Sequence, residues 1–485
     1  MSRPRNPNPP IRISHVKQQK YGGTWYVMER AVRYCHETKQ TKYLYSHAVG
    51  VLVNKDDDIN KMIPIDEWNE KQEQKKQEEK IENIKNEEEQ KIVTPTIHDT
   101  RDLNKIVYKP QQLFVLLMAA FGAGHTNCHG ASVFVNAHNN DILEFFEDFK
   151  GLELSHDSVW RFFYLLSKDI NEGLLQEFNQ LLIDDSQEGD KANTTRRVLA
   201  ADGQAVRATR IEAGKPRPKY VLSVYDSGSE LILAQNIVGD KTNEITHIEG
   251  VLQKVDIRGA IVTADALHAN VRFIKAVLNG GGHYLINIKN NNRVSKEWIE
   301  GLFKTKELEA MQLADDTQDF GHGRIENRSI RVLPGSLLSP ELKEKWKCSG
   351  DGTVAELTSV RYDKTNDTTS TEVSYLVSSL PYSENDIAKT LLSVNRSRWG
   401  IESTHWLLDV VYSQDRTQCK SGEFLKGKTL FMKMVLNFAR IGKKREEKRL
   451  GKKISHESFK AVFSNIKEFF RLYMDIVKYP QVGEA

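Results

Sequence analysis

The apolar residues of the last third of the chain recur at helical spacing and predict a long helix with one buried side. The stripe comprises Ile387, Leu391, Val394, Ile401, Leu408 and Val411. Ser383, with Asp386 three residues later, has the spacing of a capping box and predicts the start of the helix. A second set of positions, at steps of three and four, shares another face of the helix. That face carries Asn395, Arg398, Glu402, His405 and Asp409, with Trp399 and Trp406 beside it.

Two short apolar runs upstream end in carboxylates. Asp202 follows the strand-like run 197–201, and Asp265 follows the run 261–264. Two aspartates at strand ends and a later helical glutamate suit hard divalent cations such as Mg²⁺, which take oxygen ligands. Paired metals of this kind activate a nucleophilic oxygen and stabilise the leaving one. The alternative for Glu402 alone is an ordinary surface ion pair with Arg398.

The pattern around the two aspartates predicts a mixed sheet. Strands 220–225 and 231–238 flank a turn-forming segment and read as a hairpin. A helix, the strand that ends at Asp265, another helix and the strand 283–288 follow in that order. Glu402 lies 137 residues after Asp265 (402 − 265), which leaves room for an insertion at 291–380. Three β-like segments fall within that insertion, at 328–333, 357–362 and 372–377.

The rest of the chain reads as four further segments. Residues 1–64 predict a small β-rich module with strands at 23–34 and 42–53, preceded by a Pro-rich basic segment 1–20 that we expect to be mobile. This module is a candidate for DNA-end recognition or a plain packing module. Residues 65–95 are charged and predict a linker helix. Residues 96–190 are predicted to be helical and to serve packing and dimer formation, or DNA binding as well. Residues 446–485 are predicted to form a helical tail. The basic cluster at 443–453 is either a solvated linker or a DNA clamp.

Composition narrows the class of protein. With 39% hydrophobic and 28% charged residues, the chain of 485 residues is typical of a globular protein of several domains. Its longest apolar run, 113–123, is too short to span a bilayer, and the N-terminus lacks a signal-peptide pattern, so we expect a cytoplasmic protein. The four cysteines are scattered, which argues against a disulfide framework. A net charge of +3 means that any affinity for DNA must come from local basic clusters.

Several stretches resemble a known family. The stretches 201–207 (ADGQAVR), 241–245 (KTNEI), 263–268 (TADALH) and 398–410 (RWGIESTHWLLDV) are similar to motifs of the DDE transposases, in the ISAs-type or H-repeat-associated branch. The stretches 284–290 and 323–328 add two further matches, and the similarity runs from about residue 99 to about residue 440. Each motif is weak alone, but six in the same order are specific.

The resemblance implies a fold. It implies an α/β protein with a ribonuclease-H-like catalytic core over 191–290 and 381–445, interrupted by the β-rich insertion 291–380. In that fold the first and fourth strands are neighbours, so Asp202 and Asp265 would meet at one metal pair. The helical domain 96–190 and the small N-terminal β module would precede the core.

The resemblance also implies an activity. It implies a DNA transposase of an insertion sequence that cuts and joins DNA at transposon ends, with Asp202, Asp265 and Glu402 as catalytic residues and ligands of Mg²⁺, for which Mn²⁺ would substitute. The implied partners are double-stranded DNA with terminal inverted repeats, target DNA and a second copy in a synaptic homodimer, in the bacterial cytoplasm at the nucleoid. The alternatives are a transposase-derived DNA-binding protein without cleavage activity and a junction-type metal nuclease on the same fold.

Further residues are candidates by their place near the acids. Predicted DNA contacts are Arg207, Lys289, Arg398 and Trp399, and predicted supporting residues are His268, Asn395, His405 and Asp409. Trp399 would stack on an extruded base or pack within the protein. His268 would orient Asp265 or touch phosphate. Hairpin-forming relatives have Tyr where this chain has Asn395 and a later Lys where it has Asp409, while Arg398 and Glu402 keep the family spacing, so the resemblance leaves open whether cleavage takes a hairpin route or another one.

Overall fold

The structure is a computed structural model of the whole chain. It describes residues 12–19, 25–35, 40–52, 57–71, 92–101, 106–146, 153–182, 196–209, 218–238, 244–305, 313–321, 324–348, 351–416 and 421–478. The chain divides into two compact units, Met1–Lys91 and Ile92–Ala485, and each is described by itself.

The first unit contains an antiparallel sheet. Within the described residues it has four strands in chain order, β1 (Arg12–Gln19), β2 (Trp25–Cys35), β3 (Gln40–Leu52) and β4 (Ile63–Pro64). The two predicted strands are confirmed as β2 and β3. The expected mobility of residues 1–20 is wrong for β1, which pairs along its whole length with β2. Residues 65–71 are helical, and the rest of the predicted linker helix up to residue 91 lies outside the described residues.

The second unit combines helices with one large sheet. Its described α-helices of seven or more residues are α1 (Pro110–Gly122), α2 (Cys128–Ala137), α3 (His156–Leu166), α4 (Leu174–Leu181), α5 (Glu244–Leu252), α6 (Val271–Asn279), α7 (Arg293–Lys304), α8 (Pro340–Trp346), α9 (Ile387–Ser397), α10 (Trp399–Trp406), α11 (Gly422–Leu450), α12 (His456–Ser464) and α13 (Ile466–Ile476). Its strands are β5 (Val198–Val206), β6 (Lys219–Asp226), β7 (Ile232–Val238), β8 (Ile261–Ala264), β9 (His283–Ile288), β10 (Leu313–Gly321), β11 (Arg324–Pro334), β12 (Thr353–Asp363) and β13 (Thr368–Ser378). None of these helices is long and apolar enough to cross a membrane.

The sheet brings the first and fourth of its strands together. In the part of the chain that is described, its order is β10-β11-β12-β13-β9-β8-β5-β6-β7. β5 runs parallel to β8 and β8 parallel to β9, while the other neighbours are antiparallel. The predicted adjacency of the strands that carry the two aspartates is therefore confirmed. The predicted β-like segments of 291–380 are also confirmed, and through the pairing of β13 with β9 they continue the same sheet.

The three largest hydrophobic clusters of the described residues hold most of the second unit together. Helices α5, α6 and α7 cover one face of the sheet, and α9 covers the other. The helices α1 to α4 pack with α11 to α13 in the third and largest cluster. At its centre α3 and α11 approach so closely that a Cβ at Gly427 would lie 1.8 Å from the carbonyl oxygen of Phe163.

The predicted long helix exists in a modified form. Its apolar stripe is buried as expected, with Leu391 and Leu408 fully inaccessible. It begins at Ile387 rather than after Ser383, whose hydroxyl donates to Asp351 instead. Asp386 is the N-cap residue in a left-handed conformation (φ 57°) and makes no side-chain cap, so the predicted capping box is wrong. The chain then forms two helices, α9 and α10, followed by the π-helical turn Leu407–Val411.

Candidate active site

The site is built where strand β5 meets helix α10. Alternate residues of a strand point to the same face, and Ala200 and Asp202 face α10 in this way. Ala200 packs with Ile401, and the Asp202 Oδ2 lies 3.6 Å from the His405 Nδ1. The match is geometric, because two strand residues advance about 6.6 Å and four helical residues about 6 Å. Successive turns of α10 therefore meet successive inward residues of β5.

The next layer down joins the strand to the π-helical turn. The Gln204 amide donates to Asp409 Oδ1 at 2.6 Å and to the backbone carbonyl of His405 at 3.2 Å. The Gln204 carbonyl oxygen accepts from the Gln414 Nε2 at 3.3 Å. Burial raises the pKa of Asp409 to about 6, with Gln204 opposing the shift. π-Helical turns often occur at functional sites, and here the turn directs Asp409 towards β5.

Asp265 lies beside Asp202 because of the parallel pairing. Ala201 of β5 is in register with Ala264 of β8, so Asp202 and Asp265 follow at the same level of the sheet. The prediction that Asp202 ends its strand is wrong, because β5 continues to Val206 in its pairing with β6, whereas Asp265 does follow the last residue of β8. Asp265 caps a short helical turn by accepting a hydrogen bond from the Ala266 N–H at 2.7 Å. The Lys289 Nζ, just after β9, is 3.8 Å from the Asp265 Oδ1. The β8 and β9 strand ends thus supply one acid and one base to the site.

Glu402 reaches the site from α10, one turn after Arg398. The Arg398 Nη1 donates to Glu402 Oε1 at 3.3 Å. Arg398 is only 8% exposed, lies over the ring of Trp399 at 5.3 Å, and its Nε has no hydrogen-bond partner within the described ranges. Trp399 itself is 49% exposed and Trp406 56% exposed. The guanidinium is thus held inside the site while the two indole rings remain open to solvent.

The three acids share one electrostatic environment. The pKa of Asp202 rises to about 6, first because the carboxyl is buried and then because Asp265 and Glu402 are negative neighbours. The Gly203 N–H and the charge of Arg398 act in the opposite direction. Asp265 and Glu402 are thus close enough to Asp202 to raise its pKa, and the joint role of the three acids as metal ligands stays a prediction.

The donor set fits hard divalent cations. The three carboxylates have partly exposed side chains (24% for Asp202, 45% for Asp265, 40% for Glu402) and offer oxygen ligands. In this conformation no three His, Cys, Asp or Glu side chains of the described residues are grouped closely enough to hold a metal ion. Asp265 instead faces Lys289, and Glu402 is bonded to Arg398. These basic partners neutralise part of the repulsion among the acids.

The remaining predicted residues lie at different depths. Arg207 begins the short helical turn after β5, and its side chain is 78% exposed and lies 3.7 Å from that of Asp415. His268 is 1% exposed and packs near Phe273 beneath the Asp265 loop. Asn395 is half-buried in the last turn of α9. Burial lowers the pKa of His405 to about 3, and the charge of Lys433 adds to the shift, so the imidazole is neutral at physiological pH.

Sequence reasoning missed the buried polar residues behind the site. Gln204 was noted only as part of a motif, although a glutamine at an inward strand position was a usable signal. Lys433 and Arg440 of α11 interrupt an apolar helical run, which is a second usable signal. Arg440 donates a hydrogen bond to the Thr404 Oγ1 at 2.6 Å and so attaches α11 to α10.

Helix α10 also packs closely on strand β6. A Cβ at Gly400 would lie 2.7 Å from the Tyr225 ring.

Comparison with known proteins adds the family. The family model described as "Transposase DDE domain" matches residues 193–438, just over half of the chain. The "Putative protein YbfL" of Escherichia coli strain K12 is 25% identical over 331 residues, which cover 67% of this chain and 83% of that protein. The "H repeat-associated putative transposase YhhI" of the same strain is 24% identical with the same coverage. The "H repeat-associated putative transposase YbfD" is 26% identical over 48% of this chain and 88% of its own length.

A solved structure is also similar in part. The cryo-EM structure of a piggyBac transposase synaptic complex with hairpin DNA aligns with a TM-score of 0.35 and 13% identity, over 80% of this chain and 85% of that one. The family match covers the acids, β5 to β13 and most of α11. The chain therefore belongs to the transposase DDE domain family, among relatives of the H-repeat-associated insertion-sequence transposases.

Proposed function

We propose that the protein is a transposase that breaks and joins DNA strands at the ends of an insertion sequence, with Asp202, Asp265 and Glu402 as its catalytic carboxylates. The observation that supports the proposal is the placement of Asp202, in the middle of β5, beside Asp265 at the end of the parallel strand β8, with Glu402 close enough to raise the pKa of Asp202. Membership in the family and the names of the relatives support the same activity.

The core that holds the acids is proposed to be ribonuclease-H-like, over 191–290 and 381–445. The order of β5, β6, β7, α5, β8, α6 and β9 in the chain, with β8 paired to β5, supports this assignment. The β-rich insertion is then 291–380, and the helical regions 96–190 and 446–485 support the core.

The acids are proposed to hold two Mg²⁺ ions, with Mn²⁺ as a substitute. When bound, such ions supply activation of the attacking oxygen and stabilisation of the departing 3′-oxygen. Loading requires Asp265 and Glu402 to exchange Lys289 and Arg398 for a cation, since both carboxylates are engaged by these bases. The two bases then remain beside the site as candidates for phosphate contacts, which fix DNA in register. Trp399 offers an exposed ring for stacking on a base.

The partners follow from this activity. They are double-stranded DNA carrying terminal inverted repeats, target DNA, and a second copy of the chain in a synaptic homodimer. His405 and Asp409 are proposed to keep Asp202 and β5 in place through the contacts of the strand with α10. The roles of His268 and Asn395 stay predictions. His268 is predicted to support the Asp265 loop, and Asn395 is predicted to border the site.

The test is strand cleavage on supercoiled DNA that carries the element's ends. We expect nicking that requires Mg²⁺ or Mn²⁺ and that is concentrated at the repeats. Matched plasmids with scrambled ends serve as the control. Equal cleavage of both plasmids would identify a junction-type or other metal nuclease. Tight binding to the ends without any nick would identify a DNA-binding protein that has lost cleavage.

Arg207→Ala is expected to weaken DNA binding without altering sequence preference. Arg207 follows the last residue of β5, the strand that carries Asp202, and its side chain is 78% exposed. Phosphate contacts of exposed cations contribute to affinity through counterion release. The salt dependence of log K should lose about one unit of slope. Binding is measured by fluorescence anisotropy at several salt concentrations.

Arg258→Ala is the matched control for that measurement. Arg258 is 81% exposed, but it precedes β8 and is paired with Asp256, at the opposite end of the strand from Asp265. Its removal should leave both affinity and salt slope unchanged. Equal losses for the two variants would argue that Arg207 acts only through the general charge of the protein.

A further inference from the structure

Arg440 is a buried cation on the side of helix α11 that faces the β6–β7 hairpin. The residue is 7% exposed, although most of the helix around it is apolar. Burial of a charged group costs free energy unless hydrogen bonds or other contacts compensate it. The contacts of the guanidinium therefore indicate why an arginine stands at this position.

The guanidinium joins three parts of the fold. Its Nη2 donates to the Thr404 Oγ1 of α10 at 2.6 Å, and its Nη1 donates to the backbone carbonyl of Glu230, in the turn between β6 and β7. Its Cζ lies 5.2 Å from the centre of the Tyr225 ring of β6. An arginine suits this place because its planar fork presents several N–H donors and stacks on aromatic rings. One side chain of α11 thus contacts both α10 and the β6–β7 hairpin.

The position of Arg440 relative to the hairpin is fixed by residues on either side of it. Three residues earlier, the Asn437 side chain accepts from the Ile232 N–H at 3.0 Å and donates to the Ile232 carbonyl at 2.8 Å. Four residues later, the Lys444 Nζ lies 2.9 Å from the Glu230 Oε2. Residues three and four apart share one face of a helix. Helix α11 is therefore attached to the hairpin along about two turns, and Arg440 extends that attachment to α10.

Thr404 and Glu402 lie on opposite sides of α10. Two residues rotate an α-helix by about 200°, so a contact at Thr404 holds the helix from behind. Thr404 is 1% exposed, whereas the Glu402 side chain is 40% exposed. The Thr404 hydroxyl donates to the Gly400 carbonyl at 2.7 Å, which leaves its oxygen free to accept from the guanidinium. Arg440 thus supports α10 on the side away from the carboxylate.

Helix α10 and the sheet are in close contact at the same point. The ring of Tyr225, on which the guanidinium lies, would be 2.7 Å from a Cβ at Gly400. Tyr225 also packs with Ala200 of β5 and Ile401 of α10, and these two elements carry Asp202 and Glu402. A displacement of the ring would therefore change the spacing between the strand and the helix that present the acids.

We propose that Arg440 is a positioning residue of the cleavage site, which holds α10 against the β6–β7 hairpin and so sets the distance between Glu402 and Asp202. Asp202 is fixed relative to the same hairpin, because β5 pairs with β6 on both sides of it. Arg440 acts through α10 and needs no contact with DNA or metal. The effect on cleavage rests on the proposed function, whereas the attachment of α10 is measured on the protein alone.

Hydrogen exchange of α10, followed by mass spectrometry on the full chain, measures this attachment. Arg440→Met keeps a long side chain without the fork, and Thr404→Val removes only the hydroxyl that accepts from it. We expect each variant to speed exchange of the amides at 399–406 by about tenfold, because a helix that loses a tertiary contact opens more readily. The double variant should exchange no faster than Arg440→Met, since both changes remove the same contact. Unchanged exchange in Arg440→Met, or a double variant that shows the product of the two single effects, would overturn the proposal.

Strand cleavage supplies the second readout, at a temperature where all variants are folded. We expect Arg440→Met and Thr404→Val to cut about tenfold more slowly and to need about tenfold more Mn²⁺ for half-maximal rate, because a displaced carboxylate binds the cation less well. Arg440→Lys, which keeps the charge, should recover part of both values. An unchanged Mn²⁺ requirement in Arg440→Met, with the rate lost only in proportion to the unfolded fraction, would refute the positioning role.

Lys428→Met is the matched control. Lys428 is on the same helix and 4% exposed, but its ammonium donates to the Thr126 carbonyl in the helical region, away from α10. Its loss should lower the melting temperature without changing the exchange at 399–406 or the Mn²⁺ requirement. Equal effects of Lys428→Met and Arg440→Met on both would reveal a general loss of stability and contradict the proposal. If the wild type itself shows no cleavage, the proposed function fails, and the exchange of α10 alone still decides for or against the attachment by Arg440.

Discussion

Asp202→Asn is expected to slow metal-dependent strand cleavage by about a hundredfold to a thousandfold and, at the same time, to raise the melting temperature at pH 7. Cleavage is lost because an amide does not supply the anionic oxygen that a hard cation takes. Stability rises because burial, and then the charges of Asp265 and Glu402, disfavour the ionised Asp202 in the folded protein. Nicking of supercoiled DNA and thermal unfolding in metal-free buffer measure the two effects.

The pH dependence of this effect has a definite sign. The pKa of Asp202 is about 6 in the folded protein, above its ordinary value of 3.8. The protonated carboxyl therefore contributes stability that is complete below about pH 4 and is lost as the pH rises through about 6. The Asn variant does not titrate, so its advantage should grow across that range to on the order of 1 kcal/mol.

Asp256→Asn is the control for Asp202→Asn. Asp256 is an exposed loop acid paired with Arg258, and its replacement should leave nicking unchanged. If Asp202→Asn cleaves DNA at the rate of the wild type, Asp202 is not a catalytic residue. If Asp202→Asn is inactive and also melts at a lower temperature than the wild type at pH 7, the loss of activity comes from damage to the fold.

Gly427→Ala is expected to lower the free energy of unfolding by about 1 to 3 kcal/mol or more. The added Cβ would lie 1.8 Å from the Phe163 carbonyl oxygen, and this obstacle is backbone, so α3 and α11 would have to separate. Phe163 and Phe431 pack edge to face at 5.5 Å in the same contact and would be disturbed with it. Urea unfolding followed by tryptophan fluorescence measures the change.

Gly301→Ala serves as the matched control. Gly301 is also helical, in α7, but no atom lies within 4 Å of the position of its Cβ. Alanine there should raise the free energy of unfolding by about 0.5 to 1 kcal/mol through its higher helix propensity. Similar destabilisation at both positions would mean that the loss at Gly427 comes from the helix backbone and not from the contact between the two helices.

Much of the fold was predictable because hydrophobic periodicity reports burial directly. The buried stripe through Leu391 and Leu408 is present as expected. Three of the four described strands of the insertion were also predicted from their composition, while β10 (Leu313–Gly321) was not. The pairing of β13 with β9 was not predicted either, since pairing between distant strands leaves no local signal. The start of α9 was mistaken because Ser383 and Asp386 have the spacing of a capping box, while in the structure Asp386 takes a left-handed conformation.

The candidate acids were predictable and their surroundings were not. Asp202 and Asp265 stand at the ends of apolar runs, a position that sequence reveals. A regular helical wheel places Asp409 on the face of Glu402, but the π-helical turn directs Asp409 to Gln204. The spacing of the residues does not predict that turn. Lys433 comes from a helix far along the chain, and its full burial is evident only in the folded structure.

The continuity of the large sheet limits how the protein can be shortened. β13 lies between β9 and β12, so the strand that leads to Lys289 has a neighbour supplied entirely by the insertion. Excision of 291–380 would leave β9 with a bare row of amide and carbonyl groups, and exposed edges of this kind recruit strands from other molecules. A shortened enzyme derived from this chain should therefore retain β13, which pairs with β9 and covers its edge, even where the outer strands of the insertion are removed.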